Sequence, residues 1–219
     1  MFNRDITQQI RSLKPFHEPN LVTDLFSWKE LESLLNLRPF VNNQRFTILN
    51  DENYEWSYCS WLTDPNSFPP DLIQQVLREN VCYLRDCSRV NKKVNYLCKE
   101  LEQITDFPTD AHIYFSVSET PVEGFGVHWD EAHNLIVQIE GESRFQVWGE
   151  TTDRSHRGVE KPEEDPILDV IMKPGDAIFI PIFFLHSATS LTKRLSISFP
   201  MAVDNKFHQS RDWISLPLN

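Results

Sequence analysis

The 219-residue chain holds only six glycines against fourteen prolines. That ratio argues against long flexible linkers and favours extended segments meeting at rigid corners. No apolar run approaches the ~18 residues of a membrane-spanning helix, so no membrane partner is expected. The opening MFNRDITQQIRSLKP lacks the apolar stretch of a secretory signal, which predicts no export. Cationic side chains are in deficit: 21 Lys and Arg face 32 Asp and Glu, a formal net charge of −11. A field of that sign repels phosphate backbones, so no nucleic-acid partner is expected. The cysteines, Cys59, Cys82, Cys87 and Cys98, form no CxxC pair and no second cluster, which argues against a cysteine zinc site. Cys98, on the apolar face of an expected helix, reads as a small buried hydrophobe, and the compartment as reducing and cytoplasmic. There is no GxGxxG, P-loop or GxSxG, so nothing points to nucleotide cofactors or an acyl-enzyme nucleophile.

What is present divides the chain in two. The first part, residues 1–108, reads as mostly helical. Ser27-Trp-Lys-Glu30 fits a capping box, followed by Leu31, Leu34 and Leu35 at helical spacing and ended by Pro39. Pro69-Pro70-Asp71 opens a second helix through about Arg78. A third spans about 89–104, with Val90, Val94, Leu97, Leu101 and Ile104 on one stripe. Residues 109–203 change character. Short β-rich runs at about 111–118, 134–140, 143–148, 168–173, 176–181 and 194–202 are separated by turn residues. This is the pattern of a sandwich or barrel rather than of βαβ units. Residues 149–166 are charged and apolar-poor, a surface loop, and 204–219 form a tail. We expect a single domain, mainly β, with N-terminal helices.

Gly126-Val-His128-Trp-Asp130-Glu-Ala-His133-Asn134 carries the chemistry. Alternate side chains of an extended segment share a face, so His128 and Asp130 point at one centre. A neutral imidazole with a carboxylate suits Fe(II), and a second imidazole completes a facial triad with open positions. His186 is the best third ligand. Pro174-Gly175 makes a turn, residues 176–181 a strand, and Pro181 bends the chain before His186. Trp129, between the ligands, faces the opposite way, and His133 reads as a surface histidine.

Residues 111–202 resemble the double-stranded β-helix (cupin, jelly-roll) core of the cupin/JmjC 2-oxoglutarate oxygenases. The segment from His128-Trp-Asp130 through Asn134, Gln138, Gly141 and Arg144 is similar to that of the asparaginyl hydroxylase acting on hypoxia-inducible factor. It is similar also to the ribosomal-protein hydroxylases of the JmjC class. The latter carry a C-terminal winged-helix region for which this chain ends too early. The resemblance implies Fe(II) held by His128, Asp130 and His186, with 2-oxoglutarate as cosubstrate and O2 as oxidant. It implies hydroxylation of a protein side chain or a small molecule. Related enzymes are often dimers, so a homodimer is open.

The resemblance also locates a departure. The position where a Lys or Arg often grips the far carboxylate of 2-oxoglutarate falls on Ser143. By the period of two, Ser143, Phe145 and Val147 point inward and Arg144 outward. The substitute is Arg194-Leu-Ser196, which resembles the RxS anchor of other 2-oxoglutarate oxygenases. Arg194 offers a bidentate fork to a carboxylate and Ser196 shares its face. Asn134 is a cosubstrate contact or a group behind the ligands, and Tyr114 a hydrogen-bonding partner of oxoacid or substrate. Two alternatives stand beside the hydroxylase. One is another metal-dependent cupin enzyme, against which Asp130 argues, because those more often carry HxH with a Glu. The other is a non-catalytic metal-binding cupin module, to which Ser143 lends weight.

Overall fold

Our computed structural model describes residues 2–36, 46–49, 56–57, 77–155 and 158–203. Among the described residues, helices α1 (Arg4–Arg11), α2 (Trp28–Leu35) and α3 (Lys92–Thr105) precede or flank the sheets. Ser27 caps α2, and Glu30 reaches back to its hydroxyl rather than to its amide. The Glu30 amide donates to Ser27 Oγ at 3.3 Å, and the hydroxyl donates to Glu30 Oε2 at 2.8 Å. Asn91 caps α3 by accepting from the Val94 amide, and Asp106 ends it in the left-handed region at φ 61°. Most of the helix expected at about 69–78, and the tail 204–219, lie outside the described residues.

The strands are β1 (Phe16–Glu18), β2 (Phe46–Leu49), β3 (Trp56–Ser57), β4 (Val81–Leu84), β5 (His112–Ser116), β6 (Val122–Glu123), β7 (Ala132–Glu140), β8 (Ser143–Glu150), β9 (Leu168–Met172), β10 (Ala177–Ile180), β11 (Phe184–Ser190) and β12 (Arg194–Ala202). One sheet runs β1-β10-β7-β12-β5-β4-β2-β3, and the facing one runs β6-β11-β8-β9. Every pairing is antiparallel. This is the expected double-stranded β-helix, with one addition. The described part of the first 108 residues supplies strands β1 to β4 as well as helices, and the larger sheet extends through them on both sides of the barrel.

Period-two alternation gives the larger sheet two different faces. Phe115, Leu135, Phe179, Leu195, Ile197 and Phe199 point outward and pack on Ile10, Leu31, Leu97 and Leu101 of the helices. Burying a side chain of this kind stabilises the fold by about 1.5–3 kcal/mol. The inner face is apolar only in part. Ile136, Ile178 and Ile180 meet Phe145, Val147 and Met172 across the barrel. Beside them, His112, Tyr114, Ser116, Asn134, Gln138, Arg194, Ser196 and Ser198 alternate inward on β5, β7 and β12. A hydrophobic outer face and a polar inner one mark the interior as a site rather than a core.

Gly141 makes the β7–β8 turn at φ +70°, where a Cβ would lie 1.9 Å from the Lys193 carbonyl oxygen. No other residue fits there. β11 is a strand that the sequence pattern did not mark: the bend falls at residues 181–183, with Phe183 at φ 65°, and the chain is extended again before His186. Its pairing with β8 slips between Phe184 and His186. A bulge at such a place re-aims the side chain beside it.

Candidate metal centre

His128 lies on an arch between β6 and β7, and that arch is pinned. The His128 amide donates to the His186 carbonyl at 3.0 Å, and the His186 amide returns the bond to His128 at 2.8 Å. The Phe183 amide donates to the Asp130 carbonyl at 3.0 Å. The charged loop is tied to the same arch through Val159, whose amide donates to the Val127 carbonyl at 3.0 Å. Trp129, between the ligands in sequence, is buried and packs edge-on against Phe183.

These constraints bring His128, Asp130 and His186 together, with one ligand atom of each within 4.8 Å of the others. His128 Nε2 stands 4.0 Å from Asp130 Oδ1, and His186 Nε2 stands 3.6 Å from Asp130 Oδ2. The other nitrogen of each ring faces a carbonyl: His128 Nδ1 meets Gly126 O at 3.1 Å and His186 Nδ1 meets Phe184 O at 2.9 Å. A carbonyl can only accept, so each Nδ1 carries a proton, and in the neutral ring, the form that binds a metal, each Nε2 presents a lone pair. Two lone pairs and a carboxylate therefore converge on one point. That arrangement is unfavourable without a cation, and it matches the two-imidazole, one-carboxylate preference of non-haem Fe(II).

Asn134 stands behind the carboxylate. Its Nδ2 donates to Asp130 Oδ2 at 2.8 Å, and its Oδ1 accepts from the Ser198 hydroxyl at 2.9 Å. Asn134 is thus placed to orient a ligand.

Deeper in the barrel Arg194 is 3% exposed, and its Nε and Nη1 have no hydrogen-bond partner. No described carboxylate forms an ion pair with it. Burial holds its pKa down at about 10, against the weaker opposing pull of Tyr114. A buried guanidinium with open donors is expensive unless an anion joins it. Ser196 lies beside it, buried and facing the same way, in register with Tyr114 on β5 and Gln138 on β7. Ser143 is fully buried, and its hydroxyl donates to Gln138 Oε1 at 2.6 Å. Arg144 points outward, as the alternation predicted, and grips exposed Asp169. The buried Ser190 hydroxyl, which sequence reasoning did not single out, also has no partner.

His133 corrects the sequence reading. It is 4% exposed, not on the surface. Its ring stacks on Phe107 and Phe179, and its Nδ1 accepts from the Ile182 amide at 3.0 Å. Burial lowers its pKa. It therefore supports the wall behind the ligands. The signal was its parity: His133 alternates with Asn134, so the two face opposite sides of β7.

Residues 86–208 match the JmjC domain family. Among curated proteins, the chain is 26% identical over 172 residues to the bifunctional lysine-specific demethylase and histidyl-hydroxylase NO66 of Drosophila persimilis. That match covers 76% of this chain and 24% of that protein. The Caenorhabditis elegans protein of the same name is 22% identical over 187 residues, covering 80% of this chain and 24% of its own length. The fold also matches the ribosomal oxygenase YcfD of Escherichia coli, with a TM-score of 0.65 and 18% identity, over 98% of this chain and 55% of that one. A structure of YcfD with cobalt and 2-oxoglutarate gives a TM-score of 0.63 at 19% identity, over 94% and 54%. The chain thus spans about a quarter of these curated relatives and about half of the solved protein.

Proposed function

This chain belongs to the JmjC domain family, within the cupin/JmjC superfamily of 2-oxoglutarate oxygenases, and we propose that it is an Fe(II)- and 2-oxoglutarate-dependent hydroxylase of a protein side chain. The observation that carries the reading is the convergence of His128 Nε2, His186 Nε2 and the Asp130 carboxylate, with both imidazole protons turned away. These three residues would hold the metal, and a two-imidazole, one-carboxylate donor set would leave it able to take a cosubstrate as well. Bound there, Fe(II) with 2-oxoglutarate and O2 supplies the oxidising chemistry that turns a C–H bond into C–OH while the oxoacid becomes succinate and CO2.

The remaining roles belong to the protein. Asn134 orients Asp130. Arg194 supplies the cationic end of the oxoacid site, and the serine and tyrosine hydroxyls around it, Ser196 and Tyr114 among them, keep that end polar. Buried open donors with no counter-ion among the described residues support a carboxylate-bearing cosubstrate. A protein substrate is supported by the relatives, whose names describe a lysine-specific demethylase, a histidyl-hydroxylase and a ribosomal oxygenase. The other metal-dependent cupin chemistries are not favoured, because Asp130 stands where those carry a second histidine.

The test is succinate formation from 2-oxoglutarate in the presence of Fe(II), O2 and basic or ribosomal-protein peptides. Turnover that needs all three small reactants and disappears in Asp130→Ala is the expected result. Metal-dependent turnover indifferent to 2-oxoglutarate, or metal binding with no oxoacid affinity, would overturn the reading.

A further inference from the structure

β7 starts beside Asp130, and β11 carries His186 near its start; both run to the other end of the barrel, which two turns close. Gly141 and Glu142 join β7 to β8, and residues 191–193 join β11 to β12. The Leu191 amide donates to the Glu142 carbonyl at 2.9 Å, and the Glu142 amide donates to Thr192 Oγ1 at 3.0 Å. A Cβ on Gly141 would collide with the Lys193 carbonyl, so the two turns touch. Behind this seal sit the polar side chains of Gln138, Ser143, Ser190 and Arg194, none more than 3% exposed.

Strand parity puts Ser190 inside. His186, Ala188 and Ser190 share one face of β11 and pair with Val147, Phe145 and Ser143, the inward residues of β8. Ala188 packs among the apolar side chains of the barrel interior. The two serines at the seal differ in one respect. The Ser143 hydroxyl donates to Gln138 Oε1 at 2.6 Å, and Gln138 Nε2 donates to the Glu140 and Gly141 carbonyls at 2.8 and 3.2 Å. That pair is satisfied within the protein. Among the described residues Ser190 Oγ has no partner, although Ser143 is its direct neighbour across the strands. Arg194, at the other end of the 191–193 turn, faces the same interior from β12, with Nε and Nη1 likewise open. Two strands of opposite sheets therefore bring unmatched donors to one end of the barrel. Each costs stability while it lacks an acceptor. A guanidinium and a hydroxyl arriving from different strands suit a carboxylate, which offers two oxygens and can only accept when ionised.

We propose that Ser190 is a binding residue for the far carboxylate of the oxoacid: it donates its hydroxyl proton to one carboxylate oxygen while the Arg194 guanidinium holds the other. The inference rests on the reading of Arg194 as the oxoacid anchor and adds to it a contact from the facing sheet. It makes β11 serve both ends of the cosubstrate, with His186 on the metal and Ser190 on the carboxylate. It excludes Ser143, whose proton is already committed to Gln138.

The test is direct binding, measured by calorimetry on the full chain with Mn(II) in place of iron. Two oxoacids are compared: 2-oxoglutarate, and 2-oxobutanoate, which lacks the far carboxylate. Ser190→Ala is expected to weaken 2-oxoglutarate by about tenfold and to leave 2-oxobutanoate within about twofold. Ser143→Ala is expected to leave 2-oxoglutarate within about threefold of the native protein. The ligand-free melting temperature separates a binding role from a structural one. Ser190→Ala removes an unmatched buried hydroxyl and is expected to hold or raise it. Ser143→Ala strands Gln138 Oε1 and is expected to lower it by several degrees. Unchanged 2-oxoglutarate affinity in Ser190→Ala, an equal loss for both oxoacids, or a melting temperature lowered as far as in Ser143→Ala overturns the role of Ser190. Arg194→Met that binds 2-oxoglutarate as tightly as the native protein overturns the anchor itself. Loss of binding in Arg194→Met beside unchanged binding in Ser190→Ala removes Ser190 alone.

Discussion

Asn134 joins a metal ligand to the far wall of the sheet, donating to Asp130 Oδ2 at 2.8 Å while accepting from the Ser198 hydroxyl at 2.9 Å. A carboxylate held on one oxygen keeps the other aimed, and outer partners of this kind tune the metal. Asn134→Ala is expected to weaken Mn(II) or Fe(II) affinity by about 10–100-fold. Ser198→Ala, one bond further away, should cost less. Titration of the metal-free protein with Mn(II) gives both numbers, and equal affinity in all three proteins would remove Asn134 from the site.

Arg194 and Arg144 make opposite predictions. Arg194 is buried with open donors, whereas Arg144 lies at the surface against Asp169. Arg194→Met should abolish measurable 2-oxoglutarate binding. It should also raise the melting temperature of the ligand-free protein by several degrees, because a desolvated charge is replaced by an apolar side chain worth about 1–3 kcal/mol. Arg144→Ala should leave oxoacid affinity unchanged. A loss of binding in Arg144→Ala would return the anchor to β8.

His112 makes stability depend on pH in a stated direction. Its folded pKa is about 4 against an ordinary 6.5, so the unfolded chain takes up the proton first as pH falls. Stability is full above pH 6.5 and is lost between pH 6.5 and about 4, with a slope approaching about 1.4 kcal/mol per unit. His133, also lowered by burial, adds to the loss in the same sense. Melting temperatures of the metal-free protein from pH 4 to 8 should fall less steeply in His112→Asn than in the native chain. Parallel curves would refute a neutral, buried His112.

Phe179 couples the N-terminal strand to the wall of the site. Its ring stacks on Phe16 at 5.6 Å and on His133 at 6.1 Å, and it is fully buried. Phe179→Ala should cost about 3–5 kcal/mol. Phe16→Ala should cost less, since Phe16 is only partly buried. Urea unfolding with a single transition measures both.

The ligand pair was legible because two residues of spacing put His128 and Asp130 on one side of a locally extended chain, a relation that survives any tertiary arrangement. The same rule sent Ser143 inward and Arg144 outward on β8, and put Arg194 and Ser196 on one face of β12. Six strands of the barrel were visible from turn residues and β-branched runs. β11 was not, because Pro181 and the bend at residues 181–183 masked a strand whose hydrophobic alternation is weak. β4 was not, because its four residues are wholly buried and leave no periodicity to read.

The chain's own order of residues determined the outer and inner faces of each strand, the caps of α2 and α3, and the chemistry on offer: two imidazoles, one carboxylate and an arginine without a nearby acid. Tertiary structure alone decided who meets whom. The mutual amide bonds of His128 and His186, the placement of Tyr83 against His112, and the burial of Arg194 with open donors all depend on strands far apart in the chain. Local rules reach only as far as one turn or one strand. Long-range pairing is selected by burial of the shared outer face, and the inner polar row is assembled as its consequence.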